Sequence, residues 1–220
     1  MFLTKFQVNP ARRGARKLLS SPHAMHAAVR AAFAAAEDYE REDARTLWRL
    51  DTSGPATVHL YILSPGNPDL THLVEQAGWP TTETWVTRAY DGLLGSLATG
   101  QQWAFRLTAN PVHNGRKNAD AKETQRFGYL RESEQIEWLE RRAARNGFAV
   151  SAQHGLPNLW LHRRQTQSFK RGMGTVTLAT VTYDGILDIT DVDAFRQAMT
   201  RGIGHAKAYG CGLLTLAHVG

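Results

Sequence analysis

The sequence predicts an α+β protein built from two consecutive β-α-β-β-α-β units, and three observations carry that expectation. An alternating apolar strand ended by Asn-Pro occurs twice, at Phe2–Val8 before Asn9-Pro10 and at Trp103–Ala109 before Asn110-Pro111. Each corner is followed by a basic stretch and then by helical and strand-like periodicities in the same order. The 220 residues suffice for two small domains with a core each.

In the first unit, Phe2, Thr4, Phe6 and Val8 fall on one side of a strand, with Leu3, Lys5 and Gln7 on the other. Ser21 is a helix N-cap and Pro22 suits the first helical position. The helix is expected from Pro22 to about Asp38, with Met25, Val29, Ala32 and Phe33 as its apolar stripe. Thr46–Leu50 and Thr57–Leu63 read as strands, Asn67-Pro68-Asp69 opens a short helix through Val74, and Thr84–Ala89 closes the unit.

The second unit begins with Trp103–Ala109. Val112–Phe127 is polar and aperiodic, which predicts a mobile loop. Arg131–Asn146 is a helix with Ile136, Leu139 and Ala143 on one face and Gly147 as its stop. Phe148–Ala152 and Leu159–Ser168 are strand-like. So are Thr175–Tyr183 and Ile186–Ile189, broken by Asp184-Gly185. Asp191–Arg201 is a helix with acid in its first turn and Arg201 in its last, as the macrodipole favours. Leu213–Ala217 is the closing strand. The repeat is that of tandem ferredoxin-like (βαββαβ) domains, 1–95 and 96–220, divided near Gly92–Gly100.

Composition narrows the function classes. No apolar run approaches the ~18 residues of a membrane helix, and the start Met1-Phe2-Leu3-Thr4-Lys5 is no signal peptide. A single cysteine, Cys211, excludes an intrachain disulfide and a cysteine-rich zinc site, and it fits a reducing cytosol. Net charge is +6, which favours a polyanionic partner. The basic residues cluster at Arg12, Arg13, Arg16 and Lys17, at Arg116 and Lys117, and at Arg163, Arg164, Lys170 and Arg171. Three clusters at loops and strand ends suit a nucleic-acid track. A merely solvated surface remains open.

Three motifs could carry chemistry. The segment from Gly202 to Leu214 holds Gly202, Gly204, Gly210 and Gly212 with Lys207 between them. Such a turn lets backbone N–H groups approach phosphates, and a purely structural loop explains the glycines equally well. A helix precedes it and a strand follows, the reverse of a dinucleotide site. His23 and His26 lie three apart at a helix start and share a face. As metal ligands they lack a third partner. As acid and base for RNA cleavage they suit neutral pH, and ordinary surface histidines are the plain alternative. Leu159–Gly174 reads as a hairpin with a basic tip. Its Lys170-Arg171-Gly172 lacks the stacking aromatics of an RRM, so recognition is expected through shape and backbone.

These residues together resemble a known family. Phe2-Leu3-Thr4-Lys5, Asn9-Pro10, Arg13, Ala15 and Met25-His26 match at the front, and Leu47-Trp48-Arg49-Leu50 follows. Phe105–Pro111, Trp138-Leu139 and Gly210-Cys211-Gly212-Leu213-Leu214 match behind. In that order they are similar to CasE, the CRISPR precursor-RNA endoribonuclease of type I-E systems. The resemblance implies tandem ferredoxin-like domains, recognition of the CRISPR repeat hairpin, and cutting at the 3′ base of its stem. It implies no metal or cofactor, a product that stays bound among the other Cascade subunits, a cytoplasmic location, and a monomer when free. The family's catalytic histidine aligns with His26. The position three earlier, a tyrosine in some members, is His23 here. The following position, an arginine in some members, is Ala27, which leaves a phosphate contact to Arg16 or Lys17. Where some members have proline in the glycine loop, this chain has His205.

Overall fold

The computed structural model describes residues 1–54, 56–80, 85–116, 124–172 and 174–219, with Arg171 described in its backbone alone. The first unit runs β1 (Phe2–Val8), α1 (Arg13–Leu19), α2 (Pro22–Arg30), α3 (Ala36–Tyr39), β2 (Leu47–Gly54), β3 (Thr57–Ser64), α4 (Thr71–Ala77) and β4 (Trp85–Ala89). Its four-stranded antiparallel sheet has the order β2-β3-β1-β4, the ferredoxin-like arrangement. Phe6 and Val8 face Met25, Val29, Leu70 and Leu73 of the helices, so the period-two pattern of β1 finds the stripe of α2.

A connecting helix, α5 (Asp91–Ser96), leads to β5 (Gln102–Ala109), β6 (Val112–Arg116), β7 (Thr124–Gly128), α6 (Glu132–Arg145) and β8 (Phe148–Val150). A minor hairpin, β9 (Ala152–Gln153) and β10 (Leu156–Pro157), precedes β11 (Leu159–Arg171), β12 (Gly174–Ile189), α7 (Val192–Arg201), a 3₁₀ turn (Lys207–Tyr209) and β13 (Leu214–Ala217). The second sheet has the order β11-β12-β5-β13, and β8 lies along the same edge of β12 as β11. The second strand position of this unit is thus shared by β8 and β11, and the ferredoxin-like order repeats. Leu47 and Leu63 of the first sheet join Leu107, Trp138, Phe148, Tyr183 and Phe195 in one core, so an apolar cluster runs across the seam between the sheets.

The structure corrects four expectations. The helix from Pro22 ends at Arg30 rather than near Asp38. Beyond it, the carbonyls of Ala32 and Asp38 accept from Asp69 N and Gly66 N, each at 2.9 Å, so tertiary bonds replace the helical ladder. The basic stretch after Asn9-Pro10 is a helix, α1, rather than a loop. In Val112–Phe127, residues 112–116 and 124–127 belong to a two-stranded hairpin, with Val112 opposite Gly128. Its His113 ring stacks on Phe127 at 5.9 Å and leans on Tyr129 at 4.7 Å, and residues 117–123 lie outside the described residues, as does Thr84. Asp184-Gly185 does not break the strand, because β12 passes straight through it. A Cβ on Gly185 would sit 2.4 Å from the Asn158 carbonyl. That glycine serves close approach, and Asp184 serves an ion pair across the sheet.

Candidate active site at the seam of the two units

Ser21 caps α2 by accepting from Ala24 N at 3.2 Å, with Pro22 in the first turn. Met25 and Val29 then face the core, which leaves His26 half-buried at the border of that face and His23 exposed one turn earlier. The pair predicted to act together is therefore split, and only His26 reaches the seam. Its ring lies between two tyrosines. The Tyr39 hydroxyl is 3.5 Å from His26 Nδ1, and the ring centroids are 6.3 Å apart. On the other side stands Tyr209 from the 3₁₀ turn, edge-on at 6.4 Å. Tyr209 in turn meets Phe169 of β11 at 4.9 Å. Helix α2 and the glycine loop thus meet at one imidazole, with the basic hairpin packed on Tyr209 beside it.

The glycine loop is shaped by its neighbours. Gly202, Gly204, Gly210 and Gly212 all have positive φ, between 78° and 90°. A Cβ on Gly210 would meet the Trp48 ring at 2.8 Å, and one on Gly204 would meet the Trp138 ring at 3.0 Å. Packing therefore accounts for these glycines. Gly212 N donates to the Thr108 carbonyl at 2.8 Å, and Ile203 N to the Gly212 carbonyl at 3.0 Å. Lys207 folds back onto the Gly204 carbonyl. Cys211 is buried, which pushes its thiol up to about 12 and leaves it inert.

The electrostatics of the loop favour an anion. Burial lowers the pKa of Lys207, and the charges of Arg45 and Arg142 lower it further. His205 is lowered by burial, Arg126, Arg142 and Lys207. Cations that repel one another's protons gather here, and a phosphate would relieve them. Sequence reading missed Tyr39, Tyr209, Arg45, Arg126 and Arg142, because the fold brings them together from separate elements.

Other predicted contacts divide by environment. Arg12 is tied to the Val74 and Gly78 carbonyls at 3.1 Å, closing the C-terminus of α4, which makes it a structural clamp. Arg16 donates to the Ala11 carbonyl at 2.9 Å and stays exposed beside Arg13 and Lys17. Arg116 is exposed at the end of β6, and Lys117 lies outside the described residues. In β11, Arg163 and Arg164 form a bulge, with Arg163 at φ 51°. The bulge sends Arg163 to the Thr52 carbonyl of the first sheet, and Arg164 to the Leu130 carbonyl at 2.6 Å and to Glu132 at 3.3 Å. Lys170 is exposed near the tip. Among the described residues, no three His, Cys, Asp or Glu side chains are grouped as a metal site.

A second polar cluster locks the units together. Arg49 is 2 % exposed. It grips both Asp51 carboxylate oxygens at 2.7 and 2.9 Å, the Arg106 and Leu213 carbonyls at 3.0 Å, and Thr215 Oγ1 at 2.9 Å. Arg106 pairs with both oxygens of Asp184, at 2.6 and 2.5 Å, and His162 Nε2 approaches Asp184 at 3.1 Å. Burial would raise the Asp51 pKa, but hydrogen bonds and charge from Arg49 and Arg106 outweigh it and hold the carboxyl below its usual range.

Fold and site together define a tandem ferredoxin-like protein with an imidazole at a cation-rich seam. The comparisons give that class a family. The profile of a family described as CRISPR associated protein matches residues 1–218. The CRISPR-associated endoribonuclease Cse3 of Thermus thermophilus is 31 % identical over 226 residues, covering 99 % of this chain and 100 % of that protein. The Cascade subunit CasE of Escherichia coli is 34 % identical over 127 residues, which covers 55 % of this chain and 60 % of that one. Among solved structures, Thermus thermophilus Cse3 bound to an RNA representing a pre-cleavage complex superposes with a TM-score of 0.77 at 30 % identity, covering 98 % of both chains. The chain belongs to the CasE/Cse3 family of CRISPR-associated proteins.

Proposed function

We propose that this protein is the endoribonuclease that binds the hairpin of a CRISPR repeat and cuts precursor RNA at the 3′ base of the stem, then stays with its product in a Cascade complex. The observation that carries the reading is the position of His26: half-buried, flanked by two phenol rings, and close to a loop whose cations depress one another's pKa values. Cse3 is named a CRISPR-associated endoribonuclease and CasE a subunit of Cascade, which agrees with both parts of the reading. No helix is long and apolar enough to cross a membrane among the described residues, and the proposed place of action is the cytoplasm.

The proposed chemistry uses the substrate's own nucleophile. The ribose 2′-OH before the scissile phosphate attacks in line. A base takes its proton, an acid protonates the leaving 5′ oxygen, and cations steady the crowded phosphorane. The products are a 2′,3′-cyclic phosphate and a 5′-OH. Because the nucleophile is already tethered beside the phosphorus, the step gains proximity without an activated water, and the scheme calls for no metal or cofactor. His26 is the proposed proton-transfer group, since imidazole titrates near neutrality. His23, exposed and one turn away, is a lesser candidate. The phosphate contacts are proposed from Arg13, Arg16, Lys17 and Lys170 around α1 and β11, and from the loop with Lys207 and its neighbours Arg45, Arg126 and Arg142.

Binding tests the cationic part of this reading. Lys17→Ala combined with Lys170→Ala should weaken hairpin RNA binding and make the salt dependence shallower by about two counterions. A titration of Kd against salt checks it, and an unchanged slope would show that neither lysine meets the backbone. A protein that binds the hairpin but never cuts it would instead be a recognition subunit of the ribonucleoprotein.

A further inference from the structure

We infer that Tyr39 is a positioning residue for His26: its hydroxyl oxygen accepts from Nδ1–H, commits that nitrogen to the protein and assigns proton exchange with RNA to Nε2. The inference rests on the ribonuclease reading, with His26 as the proton-transfer group. Its basis is geometric. The Tyr39 oxygen is 3.5 Å from His26 Nδ1, and Tyr39 is held from three directions. Its own carbonyl accepts from Thr46 N at 2.8 Å and from Thr46 Oγ1 at 2.7 Å. Its ring meets Phe33 edge-on at 5.6 Å. The Arg30 guanidinium lies 5.9 Å above the ring centre. A phenol so fixed can orient an imidazole as a carboxylate does elsewhere, without adding a negative charge beside the RNA.

The direction of the bond follows from the chemistry it must support. If the phenol donated to Nδ1, the neutral imidazole would carry its proton on Nε2 and could not serve there as a base. With Nδ1–H donating to the Tyr39 oxygen, Nε2 can take a proton and give it back, and the bond survives both states. Burial raises the Tyr39 pKa against the lowering charges of Arg45 and Arg30, so the phenol stays neutral through the working range. Glu40 also acts on Tyr39, in the raising direction.

The elements packed on α2 are α1, the 3₁₀ turn and β11. Their ionisable groups are Arg13, Arg16 and Lys17 on α1, and Lys207 and Tyr209 on the turn. On β11 they are, among the described side chains, His162, Arg163, Arg164 and Lys170. The permanent charges in this set are positive, and the Tyr39 oxygen adds an acceptor for a proton-bearing nitrogen.

Nitrogen-15 NMR of the full chain tests the inference directly, with His26 assigned by comparison with His26→Ala. The wild-type protein above the imidazole pKa should show His26 protonated on Nδ1. Tyr39→Phe keeps the ring and removes only the oxygen. It should move the proton to Nε2, shift the His26 limb of the cleavage pH profile to lower pH, and slow single-turnover cutting about tenfold with RNA affinity unchanged. Wild-type His26 with an unprotonated Nδ1 would overturn the inference, and that reading needs no variant to fold. A Tyr39→Phe protein with the same nitrogen pattern and pH profile as wild type would overturn it too. Wild-type protein that leaves hairpin RNA intact would instead defeat the ribonuclease reading, and the two failures are distinguishable because cutting and nitrogen shifts are read separately.

Discussion

His26→Ala is expected to lower the single-turnover cleavage rate by about 10²–10⁴-fold, which corresponds to roughly 3–5 kcal/mol of transition-state stabilisation. The same variant should bind hairpin RNA with nearly wild-type affinity. The reason lies in what His26 touches. Its neighbours include the rings of Tyr39 and Tyr209, whereas the proposed phosphate contacts come from the exposed cations of α1 and the β11 tip. His23→Ala should cost far less, because His23 points into solvent one turn away. Rapid-mixing cleavage and filter-binding measurements on the two variants separate the roles. Equal losses in the two would show that the imidazoles act as a pair and that the split between them closes on RNA.

The second large effect concerns stability. Arg49→Ala should cost about 3–5 kcal/mol, the usual penalty for removing one partner of a buried ion pair. Four groups lose a donor at once: the Asp51 carboxylate, the Arg106 and Leu213 carbonyls, and Thr215 Oγ1. The Asp51 carboxylate, 14 % exposed, keeps only Arg106 at 3.4 Å. The carbonyls of Arg106 and Leu213 are left facing a cavity. These groups belong to β2 of one unit and to β5, β13 and the approach to β13 of the other, so the loss falls on the seam that positions His26. Urea denaturation should show a much lower midpoint, and a melting scan a fall of about 8–15 °C for a chain of this size. Arg49→Lys should recover only part of it, since an ammonium cannot reproduce the fork that grips both Asp51 oxygens. An unchanged midpoint in Arg49→Ala would mean that the apolar seam holds the units without this pair.

Much of the fold was legible because its signals are local. Strand β1 alternates cleanly, α6 ends at Gly147, and α7 starts at Asp191, whose side chain accepts from Asp193 N and Ala194 N at 3.1 Å. The misreadings share a cause: distant segments decide them. Helix α1 offers only Ala15 and Leu18 as buried positions in seven residues, too few to set a period, and its Gly14 reads as a breaker. In the fold that glycine permits contact with α4, since a Cβ there would lie 2.3 Å from the Gln76 carbonyl. Asp184-Gly185 has turn chemistry, yet Arg106 on β5 claims the aspartate and Asn158 crowds the glycine.

The site was legible to the same degree. The spacing showed two histidines on one helix, and only the family resemblance singled out His26 as the proposed catalytic group. The glycine loop was visible as composition, but its partners Trp48 and Trp138 were not. Tyr39, Tyr209 and the arginines around Lys207 carry no local pattern, and the fold alone assembles them. Arg12 illustrates the converse: a member of a basic cluster in sequence, it is spent on the end of α4.

In the proposed reaction, an imidazole at the seam helps a ribose hydroxyl cut its own backbone. The most direct measurement is end-group analysis of the protein's own repeat RNA after incubation in EDTA, beside a substrate with a single 2′-deoxy sugar at the cut. The expected result is an undiminished rate, a 2′,3′-cyclic phosphate upstream, a 5′-OH downstream, and no cutting of the deoxy substrate. Cleavage that stops in EDTA and returns with Mg²⁺, or that leaves a 5′-phosphate, would contradict it.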